Sequence, residues 1–189
     1  VETTPAADFT QGTITATGRD LEVAIDGNGF FAVQTQNGTE AYTRAGSLAI
    51  SADGELTDAG RTILGEGGPI SVPENSKVSI AADGTVSAVD LGSPGGNVST
   101  IGKLKLVSAE PSQLTKGGDG LFRARNGQPL DADDTVRVTS GAMESSNVNA
   151  VSAMVDMIDL ARQFDMQMKA LSTVDQNEQH ATQLLASGN

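Results

Sequence analysis

Two periodicities of apolar residues divide this chain. Up to about residue 140, apolar and polar positions alternate in short runs, as in Leu21 to Ile25 (LEVAI), and most runs end at a glycine-bearing turn. Beyond Asn149 the spacing changes: apolar side chains recur at Val151, Met154, Ile158, Ala161, Phe164, Met168, Leu171, Val174, Ala181 and Leu185. These steps, mostly of three and four residues, average near the roughly 3.5-residue period of a coiled-coil seam, so residues 149 to 185 are predicted to form one long amphipathic helix. At roughly 1.5 Å per residue that helix is about 55 Å long, more than a small β domain can cover. Burying this stripe is worth on the order of 10–25 kcal/mol as an upper bound, so it is expected to be covered. Packing against other helices is the leading expectation, and folding back on the β region as ordinary core is the alternative. Met154, Met157, Met166 and Met168 favour the first, because flexible thioethers repack against non-identical neighbours.

In the alternating region, Asp26-Gly27 with Asn28-Gly29, Asn37-Gly38, Asp53-Gly54, Asp83-Gly84 and Asp119-Gly120 supply the left-handed backbone that tight turns need. Leu21 to Ile25 and Phe30 to Val33 read as a strand, a tight turn and a second strand. Further strands are predicted at Tyr42-Thr43, Leu48 to Ile50, Thr62 to Leu64, Ile70 to Val72, Val78 to Ile80, Thr85 to Val89, Gly102 to Val107 and Thr135 to Val138. The fold class is therefore mainly β with an α extension: a hairpin-rich antiparallel β domain followed by a long C-terminal amphipathic helix. Residues 1–18, rich in Thr, Ala and Gly, are predicted to be an extended arm that reaches rather than packs. Residues 19–140 form the β domain, 141–149 a hinge and helix cap, and 150–189 the assembly helix. Gly65 to Pro69 (GEGGP) and Leu91 to Asn97 (LGSPGGN) read as surface loops, and the irregular turn intervals argue against a repeat. In the hinge, Ser146, Asn147, Val148 and Asn149 lead into the helix, with Asn147 or Asn149 placed to accept hydrogen bonds from its first free amides. The pairs Asp159/Arg162 and Asp165/Lys169 are expected on the helix face away from the stripe.

Composition removes whole classes of function. The formal net charge is −12 over 189 residues, which opposes sequence-independent attraction to nucleic acid or anionic lipid. Aromatic residues make up only 3%, so a thin β-branched core is expected and an aromatic-lined substrate groove is not. There are no cysteines, which excludes disulfides, thiolate metal sites and cysteine nucleophiles. The chain starts at Val1 without Met or a signal-like region, so upstream residues are expected to be missing from this sequence.

Candidate chemistry is sparse. His180 stands alone among Gln176, Gln179 and Gln183, with no second ligand type beside it. No G-x-S-x-G elbow or S-x-x-K pair is present. Asp131, Asp133 and Asp134 (DADD) offer oxygen ligands but lack the glycine and distal Glu of a calcium loop, so a solvated acidic turn is the better reading. The glycines of GEGGP are not followed by a lysine or a helix start, which sets aside a phosphate cradle. A carboxylate pair of a carbohydrate hydrolase stays open at this level. No catalytic residue, cofactor, metal site, nucleic acid or small-molecule substrate is assigned.

Six segments carry a family likeness: Asp26 to Phe31 (DGNGFF), Tyr42 to Gly46 (YTRAG), Leu64 to Val72 (LGEGGPISV), Ala81 to Val86 (AADGTV), Glu144 to Asn149 (ESSNVN) and Ala161 to Lys169 (ARQFDMQMK). Through them the chain resembles the bacterial flagellar rod and hook proteins, most closely the proximal rod members. That resemblance implies paired N- and C-terminal helices as an inner layer and a β domain projecting outward. The C-terminal helix is present and the N-terminal one is not, so the helix is expected to be docked on another copy or displaced. It also implies a structural subunit of the periplasm-spanning rod in the flagellar basal body, transmitting torque from motor to hook. Its partners would be other rod proteins and copies of itself, reached through the flagellar type III export apparatus. The Ser146 to Asn149 segment would set the angle between helix and β domain. A surface or phage-tail-like β protein with a trimerising helix is the alternative class.

Overall fold

The computed structural model describes residues 9–92, 96–148 and 150–187, with helix side chains described at 151–170, 172 and 173. Short strands fill the first part: β1 (Ile14–Ala16), β2 (Val23–Asp26), β3 (Gly29–Gln34), β4 (Glu40–Thr43), β5 (Leu48–Ile50), β6 (Leu56–Asp58), β7 (Arg61–Thr62), β8 (Leu64–Gly65) and β9 (Gly68–Pro69). They continue with β10 (Ser76–Ile80), β11 (Thr85–Asp90), β12 (Val98–Lys103), β13 (Leu106–Ser108), β14 (Leu114–Lys116), β15 (Phe122–Ala124), β16 (Arg137–Ser140) and β17 (Ala142–Glu144). One helix, α1 (Ala150–Ser187), follows. Every strand pair is antiparallel, and residues up to Asn147 form one compact unit with residues from Val148 onward forming a second. No helix among the described residues is long and apolar enough to cross a membrane.

The centre is a five-stranded sheet in the order β13-β3-β4-β15-β14. Strand β3, held between β13 and β4, reads GFFAVQ, and Gly29 through Val33 are all buried. Alternate side chains go to opposite faces: Phe31 and Val33 join the main core with Ile25, Leu56, Ile63, Val86 and Leu104, while Phe30 and Ala32 join Tyr42, Val107 and Leu114. A strand covered on both faces needs an unbroken apolar run, which is what this segment carries. Elsewhere the alternation is one-sided, as in β11, where Val86 and Ala88 are buried and their neighbours are not.

Four predicted turns close hairpins. Asn37-Gly38 joins β3 to β4, Asp53-Gly54 joins β5 to β6, Asp83-Gly84 joins β10 to β11 and Asp119-Gly120 joins β14 to β15, each glycine at a φ between 77° and 83°. The fifth does not. β2 pairs with β16, placing Ala24 opposite Thr139, and both edges of β3 are taken by β4 and β13. The Asp26-Gly29 turn therefore carries the chain from one sheet to another instead of closing a ladder.

Two further expectations are corrected. GEGGP is a loop only in its middle, because β8 and β9 form a small hairpin with Leu64 opposite Pro69. Gly65 is buried there, and a Cβ would lie 2.7 Å from the Lys103 carbonyl oxygen and 2.9 Å from Ile70 Cγ1, so only glycine fits. The arm also packs: β1 pairs with β17, and Phe9 stacks its ring against Phe122 and Phe30 at centroid distances of 5.1 and 6.4 Å. An unpaired β1 would leave backbone amides and carbonyls without partners, and Phe9 supplies apolar area that a short arm otherwise lacks. Residues 93–95 of the LGSPGGN segment lie outside the described residues.

Candidate assembly site

The helix stripe is the first component. Val151, Met154, Ile158, Phe164 and Met168 are each more than half exposed, and Ala161 is exposed as well. Leu171, Val174, Ala181 and Leu185 lie on α1, but their side chains fall outside the described residues. The apolar surface is wider than one stripe, since Val155, Met157, Leu160 and Met166 sit on other rows of the helix and are 50–69% exposed. The expected segregation of charge also needs correction. Asp165 follows Ile158 by seven residues and Val151 by fourteen, so on a 3.5-residue seam it shares their row rather than occupying the outer face. A helix apolar over so broad an arc is suited to burial among several neighbours rather than one.

The second component is a polar knot where the chain leaves the β domain. Arg44, just after β4, donates from Nε and Nη2 to the Glu144 carboxylate at the end of β17, at 2.8–3.2 Å. Its Nη1 donates to the carbonyl oxygens of Gly27 and Gly29 at 2.9 and 3.0 Å, and its guanidinium lies 5.8 Å from the centre of the Phe30 ring. Glu144 also accepts the Gly12 amide at 2.8 Å. Both members are largely buried, with side-chain exposures of 16% and 9%. A two-pronged guanidinium–carboxylate pair is both strong and directional, so it fixes orientation as well as proximity.

Around this pair the two ends of the β domain run side by side. The Ser145 amide and hydroxyl donate to the Thr13 carbonyl at 2.9 and 3.0 Å, and Asn147 Nδ2 donates to the Thr10 carbonyl at 3.1 Å. Gly12 is wedged against this strand: a Cβ there would lie 1.8 Å from the Ser145 carbonyl oxygen. Within the predicted hinge, Asn147 thus ties the arm to the outgoing chain. Ser146 and Val148 are exposed, and Asn149 lies outside the described residues. Sequence reasoning did not single out Arg44, Glu144, Gly12 or Phe9. The available signal was that DGNGFF, YTRAG and ESSNVN, three of the family-like segments, meet in this one knot.

The acidic DADD candidate is held as a turn, while the side chain of His180 falls outside the described residues. Asp133 accepts the Thr135 amide and hydroxyl at 2.9 and 2.6 Å, which holds its carboxyl below the usual range, and Asp134 pairs with Lys103. Among the described residues no group of three or more acids or histidines is arranged to hold a metal ion.

Comparison with known proteins agrees with the geometry. Residues 24–88 match the flagellar hook protein FlgE/F/G D1 domain, and residues 139–184 match the flagellar basal body rod FlgEFG protein C-terminal region. Arg44 lies in the first and Glu144 in the second. The chain is 50% identical over 189 residues to the flagellar basal-body rod protein FlgF of Escherichia coli (strain K12), covering 97% of this chain and 75% of that relative. It is 48% identical to FlgF of Salmonella typhimurium (strain LT2) at the same coverage, and 35% identical over 184 residues to FlgG of Buchnera aphidicola subsp. Acyrthosiphon pisum, covering 93% of this chain and 69% of that relative. These matches do not favour a surface or phage-tail-like protein. The chain belongs to the flagellar basal-body rod protein FlgF family and is a structural subunit of the rod in the flagellar basal body.

Proposed function

We propose that α1 is the element through which this subunit is built into the rod, with Val151, Met154, Ile158, Ala161, Phe164, Met168, Leu171, Val174 and Leu185 packed among helices of neighbouring subunits. Those neighbours are copies of this chain and other axial proteins, delivered by the flagellar type III export apparatus. Torque passes from motor to hook through the packed helices, and the subunit performs no catalysis. The observation that carries this reading is the run of nine large apolar side chains between Val151 and Met168, each at least 50% exposed. Surface on this scale is costly in water and marks an interaction face.

Ser146, Asn147, Val148 and Asn149 lie in sequence between β domain and helix, and the Arg44–Glu144 knot anchors the outgoing chain on the β-domain side of that segment. Load on the outgoing chain is shared with the arm through the Thr10 and Thr13 hydrogen bonds. The absence of cysteine makes a clean test possible. Cysteines introduced at Ile158 and Phe164 are expected to give oxidative cross-links between subunits in isolated basal bodies, while a cysteine at exposed Thr139 on β16 is not. Basal bodies that contain the subunit but show no cross-link through either helix position would overturn the packing.

A further inference from the structure

We infer that two oppositely charged corners of the β domain dock head to tail between copies of this chain, the Lys116/Arg125 corner of one seating on the Asp53/Glu74 groove of the next. This deepens the rod-subunit reading, on which it rests, by naming a contact that does not involve α1.

The basic corner is the β14–β15 hairpin with Arg61 beside it. Lys116 and Arg125 are exposed, and the second is steadied by donating Nε to the Leu114 carbonyl at 3.0 Å. Lys116 Nζ lies 5.8 Å from the centre of the Phe122 ring, and Arg61 reaches the Asp119 carbonyl at 3.5 Å. Arg123 is neutralised by Asp119 at 2.6–3.0 Å. Four cations face two carboxylates, Asp119 and the Asp58 beside Arg61, which leaves a local charge of +2 in a chain whose 12 basic residues are outnumbered by 24 acidic ones. Among the described residues, Lys116 and Arg125 have no ion-pair partner.

The complementary corner is a groove of about 360 Å³ between the β5–β6 turn and the segment before β10, lined by the apolar Ile50, Val72, Pro73 and Leu91 together with Asp53 and Glu74. Ile50 is 42% and Leu91 64% exposed. Asp53 and Glu74 have no cation within ion-pair distance among the described residues. A lining that mixes apolar side chains with carboxylates suits side chains with apolar stems and cationic heads, as Lys and Arg have. The two corners sit at opposite ends of the β5-β6-β7 sheet: Asp53 precedes β6, whereas Arg61 opens β7 opposite Asp58 at its far end. One protomer therefore does not satisfy both itself, and a contact between different patches does not close on two copies but continues into a ring or, where the rotation does not close, a filament; the rod-subunit reading selects the filament.

Sedimentation velocity of the full chain tests this. At low salt an open, concentration-dependent series of oligomers is expected, weakened about tenfold when ionic strength rises to about 0.3 M. K116E/R125E and D53K/E74K are each expected to weaken association about tenfold or more, and the chain carrying all four to recover it to within about threefold, with the unfolding transition unchanged because all four side chains are exposed. A wild type that stays monomeric at low salt, indifference to either pair, or failure of the combined chain to recover would each overturn the contact. Ile158→Asp, which removes the α1 packing, is expected to lower association but to leave its salt dependence and its response to the charge variants in place. If it abolishes the association instead, α1 carries self-assembly and the corner contact is wrong while the rod reading stands.

Discussion

Ile158→Asp is expected to abolish incorporation into rods while leaving the unfolding of the β domain unchanged. Ile158 contributes nothing to either buried cluster of the β domain, so a change there has no route to that core. In a helical bundle the same position is desolvated, and a carboxylate without a partner costs several kcal/mol in each subunit. An Asp at an ordinary surface position changes stability by about 0.5 kcal/mol or less, so the two cases are well separated. Leu171→Asp is expected to act alike, as it extends the same seam. The check is swimming and basal-body composition in cells lacking the native copy, beside circular dichroism of the purified chain. Normal motility with either substitution would refute the packing.

The second large effect belongs to the knot. Arg44→Met is expected to destabilise the β domain by about 3 kcal/mol in urea unfolding, because it leaves the largely buried Glu144 carboxylate without its cation. It also removes the donor to the Gly27 and Gly29 carbonyls. Adding Glu144→Gln to Arg44→Met is expected to recover a good part of that loss. The amide removes the unpaired charge while its oxygen still accepts from Gly12. Equal or additive losses in the double variant would mean that the pair contributes through packing alone. Hydrogen exchange at the β1–β17 amides is expected to rise in the single variant, since Glu144 anchors Gly12 two residues before β1 begins.

These positions also show what a linear sequence displays and what it conceals. The hairpins at Asn37-Gly38, Asp53-Gly54, Asp83-Gly84 and Asp119-Gly120 were legible because turn residue and flanking strands are adjacent in the chain. The Asp26-Gly29 turn carries the same signal, yet its outcome depended on β16, more than a hundred residues away. No local feature states that Ala24 faces Thr139. The long helix was legible from its period, but its apolar breadth was not, because choosing one row hid Val155, Met157, Leu160 and Met166. The knot was least visible: Arg44 and Glu144 are separated by 100 residues, and neither looks unusual beside its neighbours. Phe9 read as part of a polar arm because a single aromatic has no periodicity to announce its burial.

Assembly through α1 is the central claim, and deletion of residues 151–185 from the natural gene tests it most directly. Swimming is scored in a strain without the native copy, and its basal bodies are imaged. Loss of motility with rods halted at an early stage is the predicted result. Normal swimming with complete rods would contradict the account.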